Sequence, residues 1–367
     1  MSRPEVTVDH VEARTYVVPT DQPEADGTLA WDSTTVVVVL VTGGGHTGLG
    51  WSYAGGGAAD TVEEKLSSVV CGSDALTPRA THEAMVRAVR NVGRPGLASC
   101  AISAVDIALW DLAARLHNMP VADLLGRCRS EVPVYGSGGF TTYDDETTAA
   151  QLRRWVDELG IPRVKIKVGE SWGTRSHRDL HRVALTRGVV GEDVDVFVDA
   201  NGAYSRKQAV RLGQRMAEGY GVTWFEEPVS SDDLDGLREV RAAVSADVAA
   251  GEYGWSPTLI APLVGAVDCL QVDVTRVGGF TDWLAVAALA AAAGLDVSGH
   301  CAPALHAHVA LAAPRCRHVE LFHDHERIES MLFRGAPPVV DGAARPHLDR
   351  PGLGMALADD SERWRRW

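Results

Sequence analysis

Between residues 132 and 322 the sequence alternates short apolar runs of β character with helical stretches, and most of the runs end in a polar side chain. The strand candidates are Val132–Tyr135, Arg163–Val168, Val194–Val198, Val222–Phe225, Asp247–Ala250, Cys269–Val272, Asp296–Ser298 and Val319–Phe322. Helical patterns fill the intervals, as at Glu146–Leu159, Ser205–Glu218, Asp232–Val244, Thr281–Ala293 and Ala304–Ala312. Parallel strands need long crossovers, and a helix in each interval supplies them. Eight such units, each 20 to 30 residues long, therefore predict a closed (β/α)8 barrel. A doubly wound open sheet is the other arrangement with this rhythm. It would place a glycine-rich phosphate loop after its first strand, and Gly136-Ser137-Gly138-Gly139 matches that pattern only weakly.

The flanking segments follow a different grammar. Thr35–Thr42 (TVVVVLVT) is a β-rich run ending at Gly43-Gly44-Gly45, and Val6–Val18 offers it an antiparallel partner. Within Ala98–His117, the residues Ile102, Val105, Leu109, Leu112 and Leu116 lie along one helix face. Strands first and helices after predict an α+β domain. The last stretch is rich in proline and glycine and lacks the barrel rhythm. A chain of 367 residues has room for three parts: an α+β capping domain at 1–130, a barrel at 131–330, and a C-terminal segment at 331–367 that returns to the cap.

Composition narrows the partners. The net charge of −14 argues against nucleic acid and anionic membrane surfaces. Apolar runs such as Leu284–Ala293 are too short to span a bilayer. The opening MSRPEVTVDHVEART has no apolar leader core and no cleavage pattern, so a cytoplasmic location is expected. The six cysteines (Cys71, Cys100, Cys128, Cys269, Cys301, Cys316) form no CxxC pair and are expected to be reduced and mostly buried.

In such a barrel the working side chains come from the C-terminal ends of the strands. Those ends carry Lys165 and Lys167, Asp199 followed by Asn201, Glu226, Glu252, Asp273, His300 and Glu320. Asp199, Glu226 and Glu252 are 27 and 26 residues apart, one βα unit each. Three converging carboxylates repel one another unless a cation sits among them. An all-oxygen set favours Mg2+, with Mn2+ tolerated, over Zn2+. Lys165 and Lys167 share one face of a strand, and burying two ammonium groups against the helix layer is costly, so they are expected at the barrel mouth. Side by side and near a dication, one lysine should have a depressed pKa and act as a base. Asp273 is one unit before His300, and a carboxylate there would fix the imidazole tautomer and provide a second acid or base.

The ordered set VKIKVG (Val164–Gly169), VDAN (Val198–Asn201), FEEP (Phe225–Pro228), AGE (Ala250–Glu252), QVDVTRVGG (Gln271–Gly279), SGH (Ser298–His300) and VELFHDH (Val319–His325) resembles the enolase superfamily in its mandelate racemase subgroup. The likeness extends over nearly the whole chain, including Pro351-Gly352-Leu353-Gly354. It implies a modified TIM barrel, (β/α)7β, with an N-terminal α+β capping domain. It implies one Mg2+ held by Asp199, Glu226 and Glu252, and a small carboxylate substrate bound to it. Lys167 matches the base on one face of the substrate α-carbon, and Lys165 the neighbour that helps bind the carboxylate. His300 with Asp273 matches the acid/base on the opposite face. Glu320, expected to be protonated, matches the group that hydrogen-bonds the substrate carboxylate. Asn201 and Ser137 match positions near the substrate. Relatives in this superfamily are often dimers or octamers, so a homo-oligomer is expected. The muconate-cycloisomerase-like and dipeptide-epimerase-like branches carry a lysine on the sixth strand, where this chain has Asp273-Val274-Thr275.

The segment Pro19–Trp31 (PTDQPEADGTLAW) falls where the family's mobile cap loop lies, with Asp21 and Trp31 as candidate substrate contacts. Its acidic and hydroxylated side chains suit a polyhydroxylated substrate. The glycines of Gly43–Gly57 supply either a second flexible lid or hairpin turns. The expected function is dehydration of an acid sugar, an aldonate or aldarate, to a 2-keto-3-deoxy acid. The alternative is a racemase or epimerase of a 2-hydroxy acid using the same residues. Three readings from other classes fit the residues less well. A zinc hydrolase built on His300, His306, His308, His318, His323 and His325 lacks an HExxH motif. A Cys301 nucleophile is disfavoured because neighbouring residues on a strand end point apart. A binding protein without catalysis is disfavoured because every expected catalytic side chain is present.

Overall fold

The computed structural model describes residues 5–366; Trp367 and the first four residues of the amino-terminal stretch read above lie outside the described residues. Three antiparallel strands open the chain: β1 (Val8–Ala25), β2 (Ala30–Gly43) and β3 (His46–Ser52), with β2 in the middle. β2 contains the TVVVVLVT run, and its lack of polar alternation has a physical cause. Val36 and Val38 join the core shared with the barrel, while Val37, Val39 and Val41 join the core of the cap helices. A strand covered on both faces needs apolar side chains at both phases of its two-residue period.

The cap helices include α1 (Pro78–Ala88) and α2 (Leu97–Leu116). α2 is long and apolar enough to cross a bilayer, but it lies inside the protein, packed against β3 and the barrel. β3 approaches it at Gly48 and Gly50, where a Cβ would stand 2.1 Å from the Ala108 carbonyl oxygen and 2.2 Å from that of Ala104. Gly44 and Gly45, at φ 55° and 77°, make the β2–β3 turn. These glycines therefore serve a hairpin and a close helix contact rather than a lid.

The barrel strands are β4 (Val132–Gly138), β5 (Arg163–Lys167), β6 (Asp195–Asp199), β7 (Val222–Glu226), β8 (Asp247–Ala250), β9 (Cys269–Val272), β10 (Asp296–Gly299) and β11 (Cys316–Phe322). They run parallel in sequence order, and β11 pairs with β4 to close the ring. The crossovers include α3 (Asp145–Arg153), α4 (Ser176–Val190), α5 (Arg206–Tyr220), α6 (Leu234–Ala243), α7 (Gly279–Ala292) and α8 (Pro303–Val309). α9 (His323–Leu332) leads out of the eighth strand. The architecture is a (β/α)7β barrel with an N-terminal α+β cap. Tyr135, Phe197, Trp224, Ala249 and Cys269 fill its interior, and the His318 ring packs edge-on to Tyr135 and Trp224 at 4.8 and 5.2 Å. The barrel is a packed plug that leaves room for chemistry only at the strand ends.

Two features fix the cap over those ends. Arg365 and Arg366 add a short strand to β1 opposite Tyr16 and Thr15. His82 of α1 lies between Asp106 of α2 and Asp282 of α7, with a ring nitrogen 3.2 Å from each carboxylate. The segment Pro19–Trp31, placed by resemblance at the family's mobile cap loop, is ordered. It is the extended tip of the β1–β2 hairpin, with a register shift between Pro19 and Glu24. Thr141 and Thr142 hydroxyls donate to the Asp26 and Pro23 carbonyls at 2.8 and 2.6 Å, which ties the tip to the barrel.

Candidate active site

The two-residue strand period explains how the polar residues reach one place. Tyr135, Phe197 and Trp224 point into the plug. The residues two further on, Ser137, Asp199 and Glu226, therefore point into the space above it. Lys165 is in register with Ser137, Lys167 with Asp199, and Asp199 with Glu226, so neighbouring strands present these groups side by side. Glu252 follows β8 after Gly251, whose φ of 136° and contact with the Gln271 carbonyl, 2.8 Å from a Cβ, admit only glycine. Asp273 and His300 directly follow β9 and β10, and Glu320 lies in β11. Lys165, Lys167, Asp199, Glu226, Glu252, Asp273, His300 and Glu320 are all buried.

Lys165 Nζ lies 2.7 Å from Glu320 Oε1, 2.8 Å from Glu226 Oε2 and 3.6 Å from Asp199 Oδ2. Lys167 Nζ lies 2.5 Å from Asp199 Oδ2. Burial alone would lower both lysines, but the surrounding carboxylates outweigh it and hold both above the ordinary lysine range. The depressed lysine expected from the spacing belongs to a site that holds a dication; the protein alone keeps both lysines high. The reason is that each ammonium has a carboxylate in contact, and that attraction exceeds the repulsion between the two lysines. Burial pushes Glu320 up, but Lys165, His300 and Lys167 hold it well below the usual carboxylate range in the protein alone. The protonated Glu320 expected from the resemblance belongs to the substrate-bound site.

His300 Nδ1 is 2.9 Å from Asp273 Oδ2, and its Nε2 is 3.2 Å from Glu252 Oε2 and 3.7 Å from Glu320 Oε2. Asp273 Oδ1 accepts from the Thr275 amide and hydroxyl, both at 2.7 Å, and Arg276 Nε stands 3.3 Å from Oδ2. Burial would raise Asp273, but Arg276 and His300 lower it to about 2. Burial would lower His300, but Cys301, Glu252, Glu320 and Asp273 together raise it well above the ordinary imidazole value. The result is a fixed Asp–His dyad that holds a proton on the ring.

Whether these residues suit a divalent cation can be judged from their unpaired atoms. Glu226 Oε1 and Glu252 Oε2 are buried without a hydrogen-bond partner, and burial pushes Glu226 up to about 7 against the pull of Lys165. Glu226, Glu252 and His300 place one ligand atom each within 4.8 Å of one another. Asp199, beside Glu226 in register, is engaged by the two lysines. Buried oxygens with unused lone pairs on adjacent strands fit a hard dication.

The remaining predicted residues divide. Ser137 Oγ donates to Glu320 Oε1 at 2.6 Å. Asn201 sits at φ 45°, donates its amide to Asp199 Oδ1 at 2.9 Å and leaves its buried Oδ1 unpartnered. It lines a cavity of about 570 Å3 with Trp172, Glu227 and Tyr253. Trp31 lines a second cavity of about 310 Å3 with Thr34, Tyr53, Arg276 and His325, and its Nε1 donates to Glu24 at 2.8 Å. Asp21 lines neither cavity; its carboxylate lies 3.0 Å from His323 Nε2 on the half-exposed hairpin tip.

Sequence reasoning missed three residues here. Arg276 reaches both Asp273 and Glu252, and its three-residue spacing from Asp273 was the available signal. Glu227 is buried with an unpartnered Oε1, and burial beside Glu252, Asp199 and Glu226 pushes it well above the usual range. Cys301 was expected to point away from His300. Its φ of 52° turns the chain back, and Sγ lies 3.4 Å from His300 Nε2. Burial beside Glu320 pushes its thiol up to about 12, so it stays protonated and is a poor nucleophile. Among the other histidines, burial lowers His306, His308, His318 and His325, which pack as neutral rings.

Residues 11–126 match the model of the mandelate racemase/muconate lactonizing enzyme N-terminal domain, and residues 147–361 match that of the enolase C-terminal-domain-like family. A mandelate racemase/muconate lactonizing enzyme-like protein from Rubrobacter xylanophilus superposes with a TM-score of 0.95 at 47% identity, over 98% of this chain and 100% of that one. The L-talarate/galactarate dehydratase of Salmonella typhimurium is 33% identical over 87% of this chain and 79% of its own length. A racemase from Streptomyces coelicolor with bound magnesium superposes with a TM-score of 0.91 at 28% identity, over 98% of this chain and 100% of that one.

Proposed function

The chain belongs to the mandelate racemase/muconate lactonizing enzyme family of the enolase superfamily, and from that premise we propose that it removes the proton α to a carboxylate and dehydrates an acid sugar. The observation that carries the reading is the pairing of two proton carriers in one buried site. Lys167 comes from β5, and the Asp273–His300 dyad comes from β9 and β10. Going round the ring from β5 through β4 and β11 to β10, Glu320 of β11 lies between them. A substrate α-carbon placed between these groups has a base on one face and an acid on the other.

Asp199, Glu226 and Glu252 are the residues that would hold Mg2+, with Mn2+ tolerated. A dication held there would supply positive charge beside the substrate carboxylate and, beside Asp199, would disfavour the proton on Lys167. Lys165 holds the charge of the carboxylate edge through its contacts with Glu226 and Glu320. The α-proton passes to Lys167 Nζ, and charge accumulates on the carboxylate oxygens as an enediolate. A substrate carboxylate beside Glu320 adds negative charge there, which favours a proton on Glu320 and lets it donate a hydrogen bond. His300, held in one tautomer by Asp273, gives its proton to the C3 hydroxyl, and water departs. The resulting enol tautomerises to a 2-keto-3-deoxy acid. If His300 instead protonates the α-carbon, the product is the epimer. The magnesium-bound racemase among the structural neighbours keeps that second reading in view.

The test is proton NMR in D2O with Mg2+ and a panel of aldonates, aldarates and 2-hydroxy acids. A 2-keto acid with deuterium at C3 is expected for at least one acid sugar. Loss of the C2 proton signal without loss of water would replace dehydration by epimerisation. No turnover and no exchange for any compound would overturn the proposal.

A further inference from the structure

We propose that the site contains a second, thiophilic metal position, formed by His300 Nε2, Cys301 Sγ and Glu320 Oε2, that takes Zn2+ and thereby blocks the acid–base histidine. The three donors come together because the chain turns back at Cys301, with φ 52°. His300 Nε2 to Cys301 Sγ is 3.4 Å, Cys301 Sγ to Glu320 Oε2 is 3.4 Å, and His300 Nε2 to Glu320 Oε2 is 3.7 Å. Zinc holds sulfur at about 2.3 Å and nitrogen or oxygen at about 2.0–2.2 Å, so the corners of a tetrahedral site stand about 3.3–3.6 Å apart. The observed triangle has nearly those edges before any ion enters.

Further observations support a ligand at this point. The dyad partner Asp273 lies on Nδ1, which leaves Nε2 as the nitrogen that faces the cluster. The Cys301 amide donates to Glu320 Oε2 at 2.9 Å, which holds that carboxylate against the thiol. A mixed sulfur, nitrogen and oxygen set suits zinc, whereas the all-carboxylate set opposite suits a hard ion. On binding, Zn–S and Zn–N bonds form, the Cys301 S–H and His300 Nε2–H bonds break, and both protons leave to solvent. Zinc on Nε2 occupies the lone pair through which His300 would carry its proton. The effect on activity therefore rests on the role proposed for His300, but the existence of the site does not.

The experiment uses the full chain with saturating Mg2+, with exposed Cys71 and Cys128 replaced by serine. Titration with Co2+ is expected to give a thiolate-to-metal charge-transfer band in the near ultraviolet and to saturate at one ion per chain. Cys301→Ser should abolish the band and weaken zinc binding by on the order of 100-fold, while Cys100→Ala should leave both unchanged. Zinc-edge X-ray absorption of the same protein, which does not depend on the Cys301 variant folding, should show one sulfur neighbour. A nitrogen and oxygen shell without sulfur, or a band that persists in Cys301→Ser, would overturn the site. If the sulfur ligand is present but no acid sugar is turned over, the site stands and the proposed function fails.

Discussion

The clamp between cap and barrel lends itself to a quantitative test. His82 is 1% exposed and lies between Asp106 and Asp282, and Arg94 also contacts Asp282. Burial opposes its charge, but hydrogen bonding and attraction to the two carboxylates raise its pKa from 6.5 to about 9. A histidine whose folded pKa exceeds its unfolded value stabilises the fold fully below the unfolded value. That contribution is lost as pH rises through the folded value. At about 1.4 kcal/mol per pKa unit, the clamp contributes about 3 kcal/mol at pH 6 and little above pH 9. Glu24 and Glu329, both pushed up to about 8 with burial as the leading cause, lose stability over an overlapping window. The comparison must therefore be between wild type and His82→Gln at each pH, where independent sites cancel. Urea unfolding from pH 6 to pH 9.5 should show wild type losing about 3 kcal/mol more than the variant. Parallel pH profiles for the two proteins would refute the argument that His82 is charged in the folded state.

Two further outcomes follow from the same geometry. His300→Asn should abolish dehydration by on the order of 10^4-fold while leaving Lys167-driven exchange of the α-proton in D2O measurable by NMR, whereas Lys167→Ala should lose that exchange. Gly50→Ala should destabilise the cap by about 2 kcal/mol or more in thermal or urea unfolding, because its Cβ would stand 2.2 Å from the Ala104 carbonyl oxygen.

The sequence made the barrel legible because its strands are covered on both faces. Runs such as Val196–Val198 are then uniformly apolar, and the change to a polar residue, here Asp199, marks the mouth of the barrel. The carboxylates Asp199, Glu226 and Glu252, the Asp273–His300 pair and the inward lysines could be located for the same reason, since each stands at a fixed offset from such a run. Charge states were less legible. The protonation of Lys167 and Glu320 depends on contacts between strands far apart in sequence, and the lysines turn out to neutralise the carboxylates directly. Pro19–Trp31 is placed as a cap loop only by the resemblance, and its prolines and acids do oppose strand formation. Pairing to β2 and the anchoring threonines at 141 and 142 override that local preference.

Cys301 marks the limit of reasoning from strand period. Alternation predicts that residues 300 and 301 diverge, and it holds only while the backbone stays extended. Cys301 and Ala302 both adopt positive φ, 52° and 39°, directly after β10. Left-handed backbone at two successive non-glycine residues costs free energy, so it persists only where surrounding contacts impose it. Those contacts are visible: the Cys301 amide donates to Glu320 Oε2 at 2.9 Å, the Ala302 amide to His325 Nδ1 at 3.2 Å, and the Ala304 amide to Glu329 Oε2 at 2.9 Å. Three amides of one turn are thus satisfied by side chains of β11 and α9, and the turn in return fixes Glu320 beside His300. The strain at this strand end places the thiol in the site and sets the spacing between His300 and the carboxylate next to it.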